Sequence, residues 1–556
     1  MNFVLTCGFL AMAGAVAIDK KKAHPYVVVC YLGSWANYRR GEGKFRVEDI
    51  DPTLCTHLVY GFAKLGHDNR IAAYDSYLDL KEHWGLGAYD RFTGLKSGHP
   101  QLKTLLAIGG WNEGSTKYSR MARRETSRSV FVRSCVETLL KHGFDGLDMD
   151  WEYPATRGGV PQDKGNFVKL LKELHEAFQP HNLLLTSAVS AGQHTIDVAY
   201  DIPALGKYLD LINLMAYDFH GGWDKTTGHN SPMYARLDET GTQRTLNVDY
   251  AVKYWLRRGA PASKLVLGMP LYGRSFVLQD PHRNGYNATI RGKGKAGEYT
   301  REQGFMGYNE LCKMFQKDKT WKVTIDKHVQ APHAVKDRNW IGYDDIKSLS
   351  LKVDYLMKMK LAGAMVWSLE TDDFHGKCHG YRFPLLQSIN AVLNGSSIPL
   401  PDYNVDQENA VFPITPSATL QPSTSPNSTI LKATRSVAST DSFHMPNSTI
   451  ETSRTTPTLL NRRSETTPTL LNRSSETTHT LLATTDNPKD HPFDCPHYGY
   501  FRHPKNCRYF YVCQAAPPEF ESAYLVHLFA CSVGTVYSRE LRICAYSTDV
   551  PECRDA

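Results

Sequence analysis

Three acidic residues stand at every second position of one short apolar segment. The segment reads FDGLDMDWEYP from Phe144, and the acids are Asp148, Asp150 and Glu152. Because side chains alternate between the two faces of a β-strand, a strand here would point all three carboxyl groups the same way. Acids on an inward face are costly to bury unless they have a function. The spacing therefore favours a chemical site over three solvated acids on an exposed strand.

A row of neighbouring carboxyl groups is suited to proton transfer. Their negative charges repel one another, so at least one acid is pushed to keep its proton near neutral pH. Glu152 is the outermost of the three and is the best placed to donate that proton. Cleavage of a glycosidic bond needs such a proton on the leaving oxygen and a group that stabilises positive charge at the anomeric carbon. No isolated second carboxylate must be the nucleophile, which leaves the substrate itself as a candidate.

The elements that would position these acids alternate along the chain before about residue 395. Short apolar runs, several nearly continuous in Val, Ile and Leu, indicate strands buried on both faces. Helical patterns such as 130–141 and 167–178 lie between them. Eight strands with helical crossovers predict an α/β fold, a (β/α)8 barrel, with a small α+β insertion at about 276–339 after the seventh strand. The eight runs are 26–32, 58–62, 102–108, 144–151, 183–189, 209–217, 265–272 and 364–369.

Length, charge and the N-terminal sequence indicate the number of domains, the class of partner and the location of the protein. A chain of 556 residues is long enough for one large domain and at least one smaller one. Its formal net charge of +7 is spread without a dominant basic block, which argues against nucleic acid as a partner and is compatible with a neutral substrate. An apolar run that ends in Ala15-Val16-Ala17 predicts a signal peptide at 1–17. This run is shorter than the roughly 20 residues of a membrane span, so we expect a secreted, extracellular protein.

A segment poor in large apolar residues, 399–491, is predicted to be a linker. An eleven-residue unit recurs in it, as TTPTLLNRRSE from Thr455 and TTPTLLNRSSE from Thr466. The unit is too short for a solenoid repeat and contains proline, so we interpret it as repeated linker. Its composition is typical of an O-glycosylated stalk. The sequons for N-linked glycans are Asn287, Asn394, Asn427, Asn447 and Asn472.

A cysteine-rich segment, 492–556, closes the chain. It begins with the stretch CPHYGYFRHPKNCRYFYVC and contains six cysteines in all. A segment this small cannot build a large core, so disulfides are expected to hold it together. Zinc is the competing interpretation, but no CxxC pair is present and export favours an oxidising compartment, so we expect no metal. The spacing alone leaves the connectivity open.

Four motifs carry a resemblance to a known family. DGLDMDWEYP resembles the signature of family-eighteen glycoside hydrolases, the chitinases. KTLLAIGGW from Lys103, MAYDFHG from Met215 and GAMVWSLETDDF from Gly363 resemble the family's third-, sixth- and eighth-strand motifs, and they occur in the same order. The resemblance covers about residues 25–395. Glu370 departs from it, because many relatives carry Asp there, at a position that is not expected to be catalytic.

The resemblance implies a substrate-assisted retaining mechanism without a cofactor. Glu152 would protonate the glycosidic oxygen and later activate water, while the sugar's own N-acetyl carbonyl attacks the anomeric carbon. Asp150 would orient that acetamido group, Asp148 would tune Asp150, and Tyr217 with Asp218 would hydrogen-bond the same group. The substrate must then carry an N-acetyl group, as chitin and chito-oligosaccharides do and cellulose does not. We expect the protein to be a monomer.

Aromatic residues are predicted at or just beyond the strand ends, where side chains would face the cleft. Pyranose rings stack on such side chains through their C–H faces. Each residue taken singly is more often part of a core, but their match to cleft positions of similar chitinases favours binding. The predicted aromatic contacts are Tyr31, Trp35, Phe62, Trp111, Trp223, Tyr272 and Trp367, and the further predicted contacts are Asn112, Met215 and Arg274.

The C-terminal segment resembles a chitin-binding module of the peritrophin-A type. The spacing from Cys495 to Cys507 is slightly short for that family. By resemblance the module pairs Cys495 with Cys513, Cys507 with Cys553 and Cys531 with Cys544. The barrel by resemblance pairs Cys30 with Cys55 and Cys312 with Cys378, which leaves Cys135 as a free core thiol.

Two functions of another class compete with the enzyme. The same fold occurs in chitin lectins whose proton donor has been replaced, and a protein with this terminal module could chiefly coat or crosslink chitin. The presence of Glu152, together with Asp148 and Asp150, favours the enzyme. Release of reducing ends from chitin would separate these functions.

Overall fold

The computed structural model describes residues 24–396 and, in the C-terminal segment, 499–503, 507–515, 524–531, 535–538, 543–546, 550 and 553. The predicted signal peptide and linker lie outside these residues, as do Asn427, Asn447, Asn472 and Cys495. The chain divides into two compact units, Met1–Gln421 and Pro422–Ala556. Among the residues described, no helix combines the length and the apolar character that a bilayer crossing requires.

The first unit contains a closed barrel of eight parallel strands. Each strand pairs with its neighbours in chain order, and the first also pairs with the last, so the sheet has no free edge within the barrel. The (β/α)8 prediction is therefore confirmed. The strands are β1 (Val27–Gly33), β2 (His57–Leu65), β3 (Lys103–Gly109), β4 (Gly146–Asp150), β5 (Leu184–Ser190), β6 (Leu211–Met215), β7 (Leu265–Pro270) and β8 (Gly363–Trp367).

Helices pack around the barrel through apolar stripes. The helix Asp163–Phe178, for example, buries Phe167, Leu170 and Leu174, which recur every three or four residues. The helix Glu125–His142 ends at Gly143, whose positive φ of 70° closes the last turn. The α-helices of the barrel are Ser76–Asp79, Ala88–Gly94, Thr116–Arg123, Glu125–His142, Asp163–Phe178, Gln193–Ala199, Ile202–Tyr208, Val248–Arg257, Ile346–Lys358 and Pro384–Leu393.

The barrel has two apolar layers because successive strand residues face opposite sides. Val29, Val59 and Leu105 point into the lumen and form one cluster with Met365. The alternate residues of the same strands, such as Leu58 and Leu106, pack outward against the helices. This arrangement leaves the mouth of the lumen, at the carboxyl ends of the strands, as the place where polar side chains can gather.

An insertion follows β7 and forms a largely antiparallel sheet. Its strands are Tyr272–Leu278, Ile290–Lys293, Phe305–Gly307, Lys322–Ile325, Pro332–Lys336 and Asn339–Gly342, and its helix is Tyr308–Lys317. The first of these strands starts only two residues after β7, so the insertion rises directly from the mouth of the barrel. A short strand, Ile71–Ala73, pairs antiparallel with β2.

The second unit is a small β module. Gly499–Arg502, Tyr509–Ala515 and Tyr524–Ala530 form a three-stranded antiparallel sheet, and Thr535–Ser538 pairs with Ile543–Tyr546. A disulfide joins Cys507 to Cys553, the pair that the resemblance implies. Cys513 and Cys531 are also disulfide-bonded. Their expected partners, Cys495 and Cys544, have side chains outside the described part of the chain.

Candidate active site

The three acids of the row lie together at the carboxyl end of β4. Asp148 and Asp150 are buried in the last three residues of the strand. Glu152 lies two residues beyond its end and is half-buried. The neighbouring strand β3 ends in Gly109, where an added Cβ would stand 2.2 Å from the Asp150 carbonyl oxygen. Glycine is therefore required there for the two strand ends to approach. The row faces the mouth of the barrel, as the strand alternation predicts.

Three donors converge on the innermost acid. The Asp148 carboxylate accepts hydrogen bonds from the Tyr31 hydroxyl at 2.6 Å, the Thr186 hydroxyl at 2.5 Å and the Asn213 amide at 3.3 Å. Donors from β1, β5 and β6 thus fix one carboxylate in the lumen. Since such bonds favour a charged acceptor, the proton between Asp148 and Asp150 belongs on Asp150.

Asp150 has a raised pKa and therefore tends to keep its proton. Burial raises its pKa well above the usual range, and the negative charge of Asp148 and a hydrogen bond between the two side chains raise it further. The Ala188 N–H donates to Asp150 Oδ1 at 3.1 Å, which opposes the rise. Two carboxyl groups this close share one proton, because both cannot ionise cheaply.

Glu152 combines access to the cleft with a raised pKa. Burial raises its pKa to about 7, and the charge of Asp218 adds to the rise. A hydrogen bond with Tyr153 and the positive charge of Arg157 oppose it. An acid with this pKa is present in both protonation states near neutral pH, as a group that first donates and later accepts a proton requires.

The loop after β6 supplies another part of the mouth. Tyr217 is buried, and its hydroxyl lies 3.6 Å from the sulfur of Met365, a weak acceptor. Asp218 accepts two hydrogen bonds from the Arg274 guanidinium and one from the Tyr272 hydroxyl, each at 2.7 Å. The charge of Asp218 is thus compensated from the insertion, whereas the acids of β4 depend on shared protons.

Aromatic rings form a continuous wall beside the acids. The ring of Trp367, at the end of β8, lies 5.9 Å from that of Phe62 and 6.1 Å from that of Trp35. The Trp35 ring stacks on Phe62 at 6.2 Å, and Trp35 is 44% exposed. Residues predicted at the ends of three separate strands therefore meet in one surface that can accept the flat face of a sugar.

Two of the predicted sugar contacts have a different role in the structure. Tyr31 and Tyr272 are only 1% and 2% exposed, so neither offers a ring face to the cleft. Their hydroxyls instead donate to Asp148 and Asp218. The expectation of stacking is corrected for both: a tyrosine at a strand end can turn its ring into the lumen and use its hydroxyl to hold an acid.

The remaining predicted contacts are spread over the rim. Trp111 and Trp223 are more than half exposed, and Asn112 is exposed next to Trp111. Trp223 lies against the Arg274 guanidinium, 5.2 Å from ring centroid to guanidinium carbon. Met215 is partly buried against the lumen cluster.

Sequence reasoning missed Thr186, Asn213 and Arg157. Thr186 and Asn213 are polar residues inside the apolar runs of β5 and β6, and both contact Asp148. A polar residue at a lumen-facing position was the signal that could have identified them. Arg157 gave no such signal, because it lies in an irregular loop.

The cysteines and sequons of the barrel are also placed. Disulfides join Cys30 to Cys55 and Cys312 to Cys378, and Cys135 is free and buried. Asp373 lies near Cys312 and Cys378 in a grouping of metal-ligand types, but the two sulfurs are bonded to each other and supply no thiolate. Asn287 and Asn394 are exposed. Both sequons therefore remain predictions compatible with glycan attachment.

The fold and site define a class of protein. A parallel barrel with a row of acids at the carboxyl end of one strand, beside an aromatic wall, is the arrangement of a glycoside hydrolase. The model of glycosyl hydrolases family 18 matches residues 27–372, and the chain belongs to this family. Its barrel is a chitinase-type enzyme domain. The model of the chitin binding Peritrophin-A domain matches residues 495–553.

Relatives resemble the barrel over about two thirds of the chain. "Probable chitinase 2" of Drosophila melanogaster is 44% identical, over 66% of this chain and 76% of its own length. The Group IV chitinase of Ostrinia furnacalis, solved in complex with allosamidin, is 47% identical with a TM-score of 0.65, over 67% of this chain and 100% of its own. Human YKL-39, described as a pseudo-chitinase with retained chitooligosaccharide binding, is 40% identical with a TM-score of 0.62, over 67% of this chain and 100% of its own.

Proposed function

We propose that the protein is a secreted chitinase that hydrolyses β-1,4-linked N-acetylglucosamine polymer. The observation that carries this proposal is that one row of acids contains both a buried pair that shares a proton and a separate acid whose pKa is near neutral. Asp150 shares a proton with Asp148, and Glu152, with its pKa near 7, faces the cleft. The aromatic wall around Trp367 supplies a neutral platform for the polymer.

The proposed reaction is substrate-assisted and retaining. Glu152 gives its proton to the glycosidic oxygen as the bond from that oxygen to the anomeric carbon breaks. The carbonyl oxygen of the 2-acetamido group forms a bond to the same carbon, and Asp150 orients the acetamido group for this attack. Water then attacks the anomeric carbon and gives a proton to Glu152. The bond between the anomeric carbon and the acetamido oxygen breaks in the same step.

The rest of the site supports this assignment. The Tyr217 hydroxyl lies beside a weak acceptor and can transfer its hydrogen bond to an acetamido oxygen. The Ala188 N–H holds Asp150 Oδ1 in place, so the Asp150 carboxyl group is positioned to orient the acetamido group.

The test of the hydrolase is Glu152→Gln. This change keeps the shape of the side chain but removes the transferable proton, and we expect hydrolysis to fall by at least about a hundredfold with chitin binding largely retained. Release of reducing ends from chitohexaose measures the first effect, and calorimetry the second. Glu137→Gln is the matched control, because Glu137 lies on the outer helix Glu125–His142. Turnover near the wild-type rate in the Glu152 variant would refute the assignment.

The mechanism has its own test. If the acetamido group is the nucleophile, the product first formed from chitohexaose keeps the β configuration. Proton NMR of fresh product distinguishes the anomers before they interconvert. An initial α anomer would contradict the substrate-assisted route and leave the hydrolase assignment intact.

A non-catalytic chitin-binding protein is the second candidate. Its support is the similarity to YKL-39, a pseudo-chitinase by description. The presence of Glu152 with a raised pKa favours the enzyme over this candidate. Binding of chitohexaose by the wild-type protein without any release of reducing ends would reverse that choice.

The C-terminal module is proposed to anchor the enzyme on insoluble chitin. A linker of 399–491 would let the two units move independently, and tethering raises the local concentration of the barrel near a gripped surface. Truncation at about Pro399 should leave the rate on soluble oligomers nearly unchanged while lowering adsorption to chitin particles. Equal adsorption by the truncated and full-length proteins would show that the module is not an anchor.

A further inference from the structure

Arg157 connects the loop that follows β4 to the loop that follows β3. Its Nη1 donates to the Glu152 carbonyl oxygen and its Nη2 to the Trp111 carbonyl oxygen, each at 2.8 Å. A planar guanidinium presents its N–H groups in a fixed fork, so one side chain fixes the distance between the two carbonyls. The loop carrying the proton donor is thus joined to the loop carrying an exposed tryptophan.

The same guanidinium lies over the ring of that tryptophan. The guanidinium carbon is 3.5 Å from the ring centroid of Trp111, which is cation–π contact. Trp111 is 59% exposed, and glycines with positive φ, Gly110 and Gly114, flank its short helical turn. The loop by itself therefore does little to fix the indole, whereas Arg157 covers one face and leaves the other to the cleft.

The backbone of Arg157 indicates that this position is specified by its contacts. Its φ is +49°, in the left-handed region that non-glycine residues seldom adopt. Such a conformation persists where surrounding interactions hold it in place. Its side chain contacts two carbonyl acceptors and one aromatic face, and its own carbonyl oxygen accepts a hydrogen bond from the Ser115 N–H at 3.4 Å.

We propose that Arg157 is a positioning residue that holds the Trp111 indole as a sugar platform in register with Glu152. The proposal rests on the proposed function. A chitin unit next to the scissile bond stacks on the free face of Trp111 while Glu152 protonates the linking oxygen. Arg157 touches neither sugar nor the reacting atoms in this role and acts through Trp111 and the main chain of Glu152.

The charge of Arg157 gives the proposal a second readout. The positive charge of Arg157 lowers the pKa of Glu152, against the effects of burial and of Asp218. The other titratable groups that act on or respond to the Glu152 charge are Asp150, Tyr153, Tyr200 and Tyr217. Loss of the guanidinium should raise the pKa of Glu152, so the proton donor stays protonated to higher pH. The alkaline limb of the pH profile of turnover should then move to higher pH.

The first experiment is a double-mutant cycle in the inactive Glu152→Gln background. Chitohexaose affinity is measured by calorimetry for Arg157→Met, Trp111→Ala and their combination. We expect Arg157→Met alone to weaken binding about three- to tenfold and to have no further effect once Trp111 is removed. Arg133→Met, an exposed arginine on the outer helix Glu125–His142, is the control and should leave affinity unchanged.

The second experiment compares Arg157→Met with Arg157→Lys in the otherwise wild-type protein. The lysine keeps the charge without the fork, so its alkaline limb should stay in place while its chitohexaose KM rises. Additive effects in the cycle, or an affinity equal to that of the Arg133 control, would overturn the proposal, as would an unmoved alkaline limb in Arg157→Met. If Arg157→Met does not fold, the chitohexaose KM of Arg157→Lys is the test: a raised KM supports the proposal, and a wild-type KM overturns it. Because the cycle measures binding without turnover, its failure is distinct from failure of the hydrolase assignment.

Discussion

Two groups of buried acids in the barrel unit are stabilised in opposite ways. Asp148 and Asp150 share a proton at the mouth, and no cation forms an ion pair with them among the described residues. Asp344, which follows the insertion, faces the Lys352 ammonium, with Nζ 2.8 Å from both carboxylate oxygens. Both members of that pair are fully enclosed. One group keeps its acids reactive, and the other neutralises its acid with a fixed countercharge.

The difference shows what marks an acid as part of a site. Asp372 is as deeply buried as Asp148, and burial raises its pKa to about 7, close to that of Glu152. Yet Asp372 accepts the N–H groups of Leu385 and Leu386 at the start of a helix, which is a structural role. A raised pKa alone therefore does not identify a catalytic acid. Glu152 differs from Asp372 in lying at the mouth of the barrel beside the aromatic wall.

The largest effect is expected from Lys352→Met. This change leaves Asp344 buried without its cation, which should lower the free energy of unfolding by about 3–5 kcal/mol. Lys352 also donates to the carbonyl and hydroxyl of Ser231, so two more acceptors lose a partner. Tryptophan fluorescence during urea unfolding reports this loss from the first unit, since all nine tryptophans precede residue 396.

The double variant Lys352→Met with Asp344→Asn separates charge from packing. Removing the orphaned charge should restore part of the lost stability, because the remaining amide can still accept from the Ser348 hydroxyl. If the double variant is less stable than Lys352→Met, burial of an unpaired charge is not the cause. The comparison of the two acid groups would then rest on geometry alone.

Much of the fold follows from sequence patterns. All eight barrel strands were predicted within a few residues, because strands buried on both faces form nearly continuous apolar runs between amphipathic helices. The insertion was placed after the seventh strand, but its first strand begins at Tyr272 and its last ends at Gly342, beyond both expected limits. Its edges are hard to read because Tyr272 continues the apolar run of β7.

The site was predictable where strand alternation decides side-chain direction. It places Asp148 and Asp150 on one face of β4, and Glu152 continues their row just beyond the end of the strand. The roles of Tyr31 and Tyr272 depend on whether a ring turns toward the lumen or the cleft, and no local pattern records that choice. Arg157 is a stronger case, because its partners are main-chain carbonyls from two loops. Contacts of that kind leave no trace in residue spacing.

A smaller effect of opposite sign is expected from Asp150→Asn. The folded state holds the Asp150 proton far more tightly than the unfolded chain does. The stability contributed by that proton is present below the unfolded pKa, near 4, and is lost as pH rises toward the folded pKa. Asparagine does not titrate and can still accept from the Ala188 N–H. We therefore expect the variant to have a higher free energy of unfolding than the wild type at pH 7, seen as a higher urea midpoint, and to lose nearly all turnover.

The matched control is Glu137→Gln, which makes the same acid-to-amide change on the surface. Glu137 pairs with Arg70 at 2.6 Å, but both side chains are about half exposed, so this ion pair is worth less than about 1 kcal/mol. We expect unfolding by urea at pH 5 and pH 8 to change little in this variant, whereas the gain of Asp150→Asn over wild type should be larger at pH 8. An equal gain in both variants would assign the effect to net charge, and no gain in Asp150→Asn would show that its buried proton carries no cost in stability. Either result would remove the contrast between the reactive acids of β4 and the neutralised acid beside Lys352.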